Sequence, residues 1–484
     1  MTGRARYAPA GQAAAHEDFV RRFPAFAGTT AVDELRATDY ERLDRVGHTY
    51  LDYTGGGLYA ASQVRRHQEL LCEHVLGNPH SQNPTSLASS ELAKQSRDAV
   101  RRFFHAPEDE FEVVFTPNAS GALKLVGEAY PFAPGGVFLL SYDNHNSVNG
   151  IREFAGCKGA AVSYIPVREE DLRLDVEQVR TALRGSAKSL GAARLFAYPA
   201  QSNFSGVQHP LEWVAEARDL GWDVILDCAA FAPTNPIDAQ AIGADFIPIS
   251  FYKLFGYPTG CGCLIARREA LARLRRPWFA GGTITLASVQ QEDWYRLAPG
   301  ATGFEDGTID YLGLPAVSIG MGHVEAVGLD VIHTRASTLS CWLLEELCAL
   351  RHGNGAPLVK IFGPRDGQSR GATIALNLID FAGRPYDAND VEAAAARQRI
   401  SVRSGCFCNP GDGEVAHHIS RDDMERCFTD PKAAITLAQC QRTIEDATGK
   451  APNTIRVSLG LASDFADVYR FMAFAESYRD HAPG

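Results

Sequence analysis

The sequence of 484 residues lacks any run of basic residues, although lysine and arginine together number 47. Aspartate and glutamate number 58, so the formal net charge at pH 7 is -11 with histidine counted as neutral. A protein that follows a phosphate backbone needs a basic patch or stripe. We therefore expect no nucleic-acid partner.

A long apolar stretch is also missing. No uninterrupted apolar run approaches the roughly 18 residues of a membrane-spanning helix. The first residues, MTGRARYAPAGQAAAHEDF, lack the apolar core of a secretory signal. We expect no membrane partner and a cytoplasmic protein.

The eleven cysteines do not resemble a disulfide framework, because their number is odd and they are scattered through apolar contexts such as VILDCAAF. We expect most of them to be reduced residues of the core. The two C-x-C pairs, Cys261/Cys263 and Cys406/Cys408, differ from the C-x-x-C spacing usual for zinc. We therefore expect no metal site.

Between residues 112 and 266, short apolar runs alternate with segments of helical periodicity. The strand-like runs include EVVFT, GVFLLSY, RLFAYPA, DVILDCA and ADFIPIS. This alternation predicts crossover units and a largely parallel sheet covered on both faces, as in an α/β fold. In such sheets, functional residues gather at the carboxyl ends of the strands.

After about residue 315, the pattern changes to a long helical stretch followed by shorter strand-like runs. We predict three parts: residues 1–70, an amino-terminal segment that packs with the small domain; residues 71–320, a large domain; and residues 321–484, a small α/β domain. Residues 409–450 have the least regular pattern, so we expect a loop or insertion there.

Polar residues follow several of the predicted strands. Asn118, Ala119, Ser120 and Gly121 lie between a strand and a helix, where free backbone N–H groups and the helix dipole favour a phosphate. The same residues would also make a good helix cap.

Two charged residues follow buried strands further along the chain. Asp227 ends an apolar run and needs a partner, which could be a protonated pyridine nitrogen, a buried arginine or backbone amides. Lys253, in SFYKLFGYPTG, follows the next run, where we predict that a strand ends and a glycine-rich loop begins. A phosphate cradle, an acid and a lysine at one crevice are the parts that pyridoxal 5'-phosphate requires.

Two more segments fit the same crevice. His145, in LSYDNHNSV, could stack on a cofactor ring, and Asn203, in AYPAQSNFSG, could contact the ring oxygen or the substrate. Their ordinary roles would be a surface or hydrogen-bonding histidine and a turn-forming asparagine.

Five motifs in order resemble those of the aminotransferase-like domain of molybdenum cofactor sulfurases, a branch of the class V pyridoxal-phosphate family that includes cysteine desulfurases. They are FTPNASGALKLV, YDNHNSV, YPAQSNFSG, SFYKLFGYPTGCG and VRSGCFCNPG. The resemblance runs from about residue 50 to 470. It implies a fold-type-I enzyme with a seven-stranded type of sheet in its large domain.

The resemblance also implies the role of each site residue. Lys253, beside Tyr252, would form the Schiff base with the cofactor, Asp227 would pair with the pyridine nitrogen, and His145 would stack on the ring. The remaining implied residues are Ala119 and Ser120 at the phosphate, Asn203 at the ring oxygen, Gly282 and Thr283 at a phosphate across a homodimer interface, Arg456 at the substrate carboxylate and Cys408 as the persulfide-forming thiol.

Two departures from the family pattern bear on the sulfur acceptor, which stays unidentified. DGE follows CNPG where the family commonly continues with alanine and another cysteine, and we expect no molybdopterin-binding domain after residue 484. The expected activity is therefore that of a cysteine desulfurase: sulfur is taken from L-cysteine onto Cys408 and L-alanine is released. Whether Cys406 has a catalytic role stays open.

Two alternatives remain at this point. A pyridoxal-phosphate lyase or aminotransferase acting on another amino acid of a specialised biosynthetic pathway would keep the cofactor residues and would not need Cys408. A non-catalytic scaffold would need neither Lys253 nor Asp227, so the presence of both argues against it.

Overall fold

The structure is a computed structural model that describes residues 6–185, 192–429, 434–450 and 452–481. Within these ranges, no helix combines the length and the apolar character needed to cross a membrane.

Fifteen strands occur in the described residues. They are β1 Thr49–Tyr50, β2 Phe111–Thr116, β3 Val137–Ser141, β4 Ala161–Ile165, β5 Arg194–Pro199, β6 Asp223–Asp227, β7 Phe246–Ser250, β8 Gly262–Arg267, β9 Ile284–Ala287, β10 Tyr295–Leu297, β11 Val359–Phe362, β12 Thr373–Leu378, β13 Ile400–Ser401, β14 Arg403–Gly405 and β15 Thr454–Ser458.

Twenty α-helices connect or follow these strands in the same part of the chain. They are α1 Gln12–Arg22, α2 Ala31–Asp39, α3 Arg42–Arg45, α4 Ala61–Glu73, α5 Pro84–Phe103, α6 Ala119–Ala129, α7 Asn146–Asn149, α8 Ile151–Cys157, α9 Val176–Gly185, α10 Trp213–Asp219, α11 Ala239–Ile242, α12 Phe251–Phe255, α13 Arg268–Arg273, α14 Pro315–Val327, α15 Leu329–Ala349, α16 Ala388–Arg397, α17 Pro410–Ala416, α18 Arg421–Glu425, α19 Leu437–Thr448 and α20 Phe465–Glu476.

Seven strands form the large sheet, in the order β2-β8-β7-β6-β5-β3-β4. The strands from β7 to β4 pair in parallel, whereas β8 is antiparallel to both β7 and β2. Because β2 is separated from β7 by two antiparallel steps, it runs in the same direction as β7 and ends at the same edge. The largely parallel α/β sheet expected from the alternating runs is confirmed.

Apolar side chains cover both faces of this sheet. Along β5, Phe196 and Tyr198 belong to one apolar cluster, whereas Leu195 and Ala197 belong to another. Successive side chains of a strand point to opposite faces, so a strand buried on both sides must be apolar at every position.

A second sheet, in the order β11-β12-β15-β14, is antiparallel throughout. The amino-terminal residues contact helices that flank it: the Tyr7 hydroxyl donates to Glu346 of α15 at 2.7 Å, and the ring of Phe19 stacks 5.0 Å from that of Phe465 in α20. These contacts support the division into three parts, which stays a prediction.

Three local expectations were wrong. The helical stretch after residue 315 is two helices, α14 and α15, which separate at Gly328, where φ is 87°. Residues 409–450 are not a plain loop, because Asn409, Ser420 and Thr436 each cap a helix there.

The third correction concerns the cysteines. Nine of the eleven cysteines are free, as expected, but only Cys228, Cys261 and Cys263 among them are buried, and Cys427 and Cys440 form a disulfide in this segment. The sequence pattern could not reveal the disulfide, because its two cysteines become neighbours only when the α18 and α19 region folds together.

Gly256, which ends α12, allows a test of how closely the backbone at Tyr59 approaches this helix. It has φ of 78°, and a Cβ there would lie 2.2 Å from the backbone nitrogen of Tyr59. We expect Gly256→Ala to lower the free energy of unfolding by more than about 2 kcal/mol in urea denaturation, because backbone strain and a backbone clash combine.

The matched control is Gly260→Ala. Gly260 has φ of 74° but no heavy atom within 4 Å of a Cβ, so only the strain remains, at about 1 kcal/mol. Equal losses for the two variants would contradict the close approach at Gly256.

Candidate active site

The predicted acid and lysine lie at the carboxyl edge of the large sheet. Asp227 is the last residue of β6 and is in register with Pro199 at the end of β5. Lys253 lies just beyond the end of β7, but on the short helix α12 and not in a loop as the sequence indicated. Glycine at position 256 ends this helix, so the glycine-rich loop begins three residues later than expected.

These two residues line one cavity of about 150 Å³. Its lining comprises Asn118, Ala119, Ser120, Leu123, His145, Ser147, Pro199, Gln201, Asn203, Asp227, Ala229, Ala230, Ser250, Tyr252 and Lys253. The structure therefore brings together the sequence-predicted residues from the phosphate cradle to the lysine, except that Gly121 does not line this cavity.

Lys253 is suited to covalent chemistry. Burial lowers the pKa of its amine, and the positive charge of Arg456 lowers it further, whereas the Asp227 carboxylate acts in the opposite direction. No hydrogen-bond partner for this amine occurs among the described residues. A neutral, unpaired amine is the form that attacks a carbonyl.

Asp227 is 8% exposed, and its carboxylate makes one hydrogen bond within the described chain: Oδ1 accepts from the backbone N–H of Ala229 at 2.9 Å. A nearly buried carboxylate has room for several hydrogen bonds and is costly to leave underpaired. One carboxylate oxygen is therefore available to a ligand group in the cavity.

His145 precedes α7, and its Nδ1 accepts a hydrogen bond from the backbone N–H of Ser147 at 3.1 Å. Burial lowers the pKa of the imidazole, with a further contribution from the positive charge of Lys253. Both effects favour the neutral ring, with any proton on Nε2. A neutral aromatic ring in this position suits stacking on a flat ligand.

The opposite end of the cavity is the amino terminus of α6. Asn118 caps this helix by accepting from the backbone N–H of Gly121 at 2.9 Å, and the backbone N–H of Ala119 donates to Ser250 at 2.9 Å. The Ser120 and Ser147 hydroxyls lie 2.6 Å apart. Two hydroxyls at the start of a helix of 11 residues form a polar, anion-compatible end to the cavity.

Cys408 is exposed on the turn of residues 406–409 between β14 and α17, called the thiol turn below, which lies next to the cavity; Cys408 itself does not line the cavity. The side chain of Asn203 connects the two: it donates to the carbonyl of Phe407 at 2.7 Å and accepts from Asn409 at 3.1 Å. The carbonyl of Cys408 accepts from the backbone N–H of Asn146 at 2.7 Å. The Asn203 side-chain amide is thus hydrogen-bonded to the thiol turn.

The two thiols of the thiol turn differ in their surroundings. Cys408 is exposed, and both it and Phe407 have φ of 56°, a left-handed conformation that is uncommon for residues with side chains. Cys406 is partly buried, and burial raises the pKa of its thiol. Exposure favours Cys408 as the reactive thiol.

Arg456 is 2% exposed and is already paired. Its Nη1 donates to the carbonyl of Asn203 at 2.9 Å, and its Nη2 donates to the carboxylate of Asp52 at 3.1 Å. Arg403 also donates to Asp52, through Nε and Nη2. The arginine expected at the substrate carboxylate is therefore one member of a group of three charges.

Gly282 and Thr283 are not brought to the cavity within this chain. Thr283 is buried, and its hydroxyl donates to the carbonyl of Ala280 at 2.8 Å. Both residues lie just before the hairpin of β9 and β10, which carries several exposed apolar side chains.

Sequence reasoning missed Ser147, Ser250, Asp52 and Arg403. The signal for Asp52 was present, because a carboxylate after the apolar start of TYLDYTGGG is the same pattern that singled out Asp227. Ser147 and Ser250 carry no such signal, since serine is common at helix starts.

Comparison with known proteins gives a consistent result. The aminotransferase class-V family profile matches residues 49–471. Molybdenum cofactor sulfurase from Bos taurus is 36% identical over 476 residues, covering 94% of this chain and 52% of the relative. The enzyme of that name from Solanum lycopersicum is 32% identical, covering 95% of this chain and 59% of the relative. The chain thus spans little more than half the length of these relatives.

Solved structures show the same fold. An apo cysteine desulfurase from Thermococcus onnurineus NA1 has a TM-score of 0.75 at 23% identity, covering 92% of this chain and 97% of that one. A cysteine desulfurase from Escherichia coli has a TM-score of 0.70 at 18% identity, with the same coverage of both chains. The resemblance stated from the motifs is confirmed, and the chain belongs to the aminotransferase class-V family.

Proposed function

We propose that this chain is a pyridoxal-phosphate enzyme that takes sulfur from L-cysteine, holds it as a persulfide on Cys408 and releases L-alanine. The observation that carries the proposal is the shared cavity of Lys253 and Asp227, which ends at the amino terminus of α6. The family membership and the exposed thiol beside this cavity support the sulfur chemistry.

The residues present fit pyridoxal phosphate. Asp227 has a carboxylate oxygen without a partner among the described residues and would hold the pyridinium N–H, while the hydroxyl and the backbone N–H of Ser120 at the start of α6 would hold the phosphate. His145 would cover one face of the ring, and Lys253 would bind the aldehyde carbon. We propose that residues 71–320, which contain these side chains, form the cofactor-binding domain.

The bound cofactor supplies an electron sink for the substrate's Cα carbanion. Lys253 Nζ, whose pKa burial lowers, would take the proton from the substrate Cα. The enclosing walls of the cavity would keep water from that position, and Arg456 with its charged neighbours would orient the substrate carboxylate.

Sulfur transfer would then occur at the thiol turn. The Cys408 thiolate attacks the substrate sulfur, an S–S bond forms, and the Cβ–S bond breaks with its electron pair going to the substrate carbon. A proton on that carbon completes L-alanine. A thiol and L-cysteine become a persulfide and L-alanine, so no external oxidant or reductant is consumed.

We further propose a homodimer in which Gly282 and Thr283 approach the phosphate of the partner's site. Support comes from the exposed apolar side chains of the adjacent hairpin, Leu286, Val289 and Trp294, and from the exposed Trp278 shortly before it. An exposed apolar group of this kind marks an interaction surface, and a second copy would bring residues that this chain does not bring to its own cavity.

Lys253→Ala tests the covalent role of the lysine. After incubation with pyridoxal phosphate and borohydride reduction, we expect a pyridoxyl label on the wild-type peptide that contains residue 253 and none in the variant, since no other amine in the cavity lining is available. Peptide mass spectrometry measures the label. Lys124→Ala, an exposed lysine of α6, should keep it, and a label on any other lysine in the wild type would refute the assignment.

Cys408→Ser and Cys406→Ser separate the two thiols and test the reaction itself. After treatment with L-cysteine, we expect the wild type and Cys406→Ser to carry the added sulfur on residue 408, with alanine released, and Cys408→Ser to form no persulfide. Mass spectrometry and amino-acid analysis measure both products. Sulfur found on Cys406 alone would overturn the choice of thiol, and alanine without any persulfide would favour a lyase.

The dimer is tested by sedimentation equilibrium. We expect the wild type to sediment as a dimer and Val289→Asp to weaken association by at least about tenfold, because a buried, unpaired charge at an interface is costly. Phe428→Asp, which changes an exposed apolar residue outside this hairpin, is the control and should leave association unchanged. A monomeric wild type would exclude the dimer.

A further inference from the structure

Three charged side chains form a compact group beside the cavity. Arg403 Nε and Nη2 donate to Oδ2 of Asp52 at 3.0 and 2.6 Å, and Arg456 Nη2 donates to Oδ1 of the same carboxylate at 3.1 Å. Two guanidinium groups share one carboxylate, so the group carries one net positive charge. Below, we call Arg403 and Arg456 the arginine pair and Asp52 its carboxylate.

The backbone holds the arginine pair side by side. Arg403 and Arg456 face each other in the antiparallel pairing of β14 with β15, so their side chains leave the same face of the sheet. Asp52 reaches them from the chain beyond β1, where it bridges to Ser458 of β15. A Cβ at Gly55 would lie 2.5 Å from Asp52 Oδ2 and 2.7 Å from Arg403 Nη2, so glycine here lets these two side-chain ends meet without being displaced.

The two arginines differ in what they can offer a ligand. The side chain of Arg403 is 49% exposed, and the hydrogen bond that it donates to Asp52 is the main reason that the pKa of its guanidinium is raised. Arg456 is buried, and burial lowers its pKa to about 10, with Asp52 opposing the shift. Asp52 therefore pairs with the charge of the buried guanidinium and compensates it.

The arginine pair lies between the cavity and the thiol turn. Arg456 donates to the carbonyl of Asn203, a cavity residue, and its guanidinium lies 4.6 Å from the ring centre of Phe407, next to Cys408. The positive charge of Arg456 also contributes to the lowered pKa of Lys253 and of His145. A carboxylate bound here would sit beside both reacting residues.

We propose that Asp52 is a specificity-determining residue that neutralises one charge of the arginine pair, so that the site accepts amino acids with a single carboxylate and disfavours those with a second anionic group. This inference rests on the proposed function for the identity of the site. A planar guanidinium pair with one free charge matches one carboxylate, whereas two free charges would match a dicarboxylate.

The test compares L-alanine and L-aspartate, which differ by one carboxylate, as ligands of the holoenzyme in isothermal titration calorimetry. The wild type is expected to bind L-alanine more tightly than L-aspartate. Asp52→Asn keeps the shape of the side chain and removes its charge, so it should shift this preference toward L-aspartate by about tenfold. An unchanged ratio of the two dissociation constants would overturn the inference.

Two further variants keep the test decisive. Arg403→Met removes the free charge, so binding of L-alanine should weaken by about tenfold even if Asp52→Asn folds poorly; unchanged affinity would also overturn the inference. Asp44→Asn is the control, since it makes the same change in an arginine–carboxylate pair away from the cavity, with Arg36, and should leave the preference unchanged.

A parallel measurement of persulfide formation from L-cysteine separates this inference from the proposed function. Wild-type persulfide formation with an unchanged ligand preference in Asp52→Asn rejects the role of Asp52 alone. A shifted preference in a protein that forms no persulfide rejects the desulfurase reaction and keeps the role of Asp52. Wild-type protein that binds neither ligand rejects the carboxylate site.

Discussion

The parallel pairing of β5, β6 and β7 is the constraint on which the site depends. Parallel strands end at the same edge, so the loop with Asn203, the carboxylate of Asp227 and the helix of Lys253 are brought together although they are far apart in sequence. The antiparallel β8 then returns the chain so that β2 runs in the same direction as β7, and the amino terminus of α6 closes the same cavity. Each chemical part sits at a strand end because only there can side chains leave a sheet that is apolar on both faces.

Asn203 couples this edge to the second sheet. Its side chain makes hydrogen bonds to Phe407 and Asn409 of the thiol turn, while its backbone carbonyl accepts from Arg456 of β15. A shift of the loop after β5 would therefore move both the exposed thiol and the guanidinium. Hydrogen bonds to one short loop are a simple way to fix distances between groups carried by two different sheets, because the loop itself is anchored by buried backbone on either side.

Burial and charge are balanced around Lys253. The cavity walls favour a neutral amine and Asp227 favours a charged one, while Arg456 adds to the effect of burial. Asp52 enters this balance from a distance, because it is the carboxylate that compensates the buried Arg456. Arg456, held by this ion pair, thus helps to keep the lysine reactive, and a neutral His145 adds no further positive charge near it.

The sequence by itself determined the α/β alternation, the apolar strands, and the candidates Asp227, Lys253, Asn203, His145 and the Asn118–Gly121 turn, because strand periodicity and polar residues after buried runs are local signals. It could not show that Lys253 lies on a helix, because five residues are too few for a helical period to be read. It also could not show the Cys427–Cys440 disulfide, the hydrogen bonds that engage Asn203, or the sharing of Asp52 by two arginines. Those features join residues that are distant in the chain, so only tertiary structure decided them: a local pattern marks which side chains need a partner, and the packing of the two sheets chooses which partner each one meets.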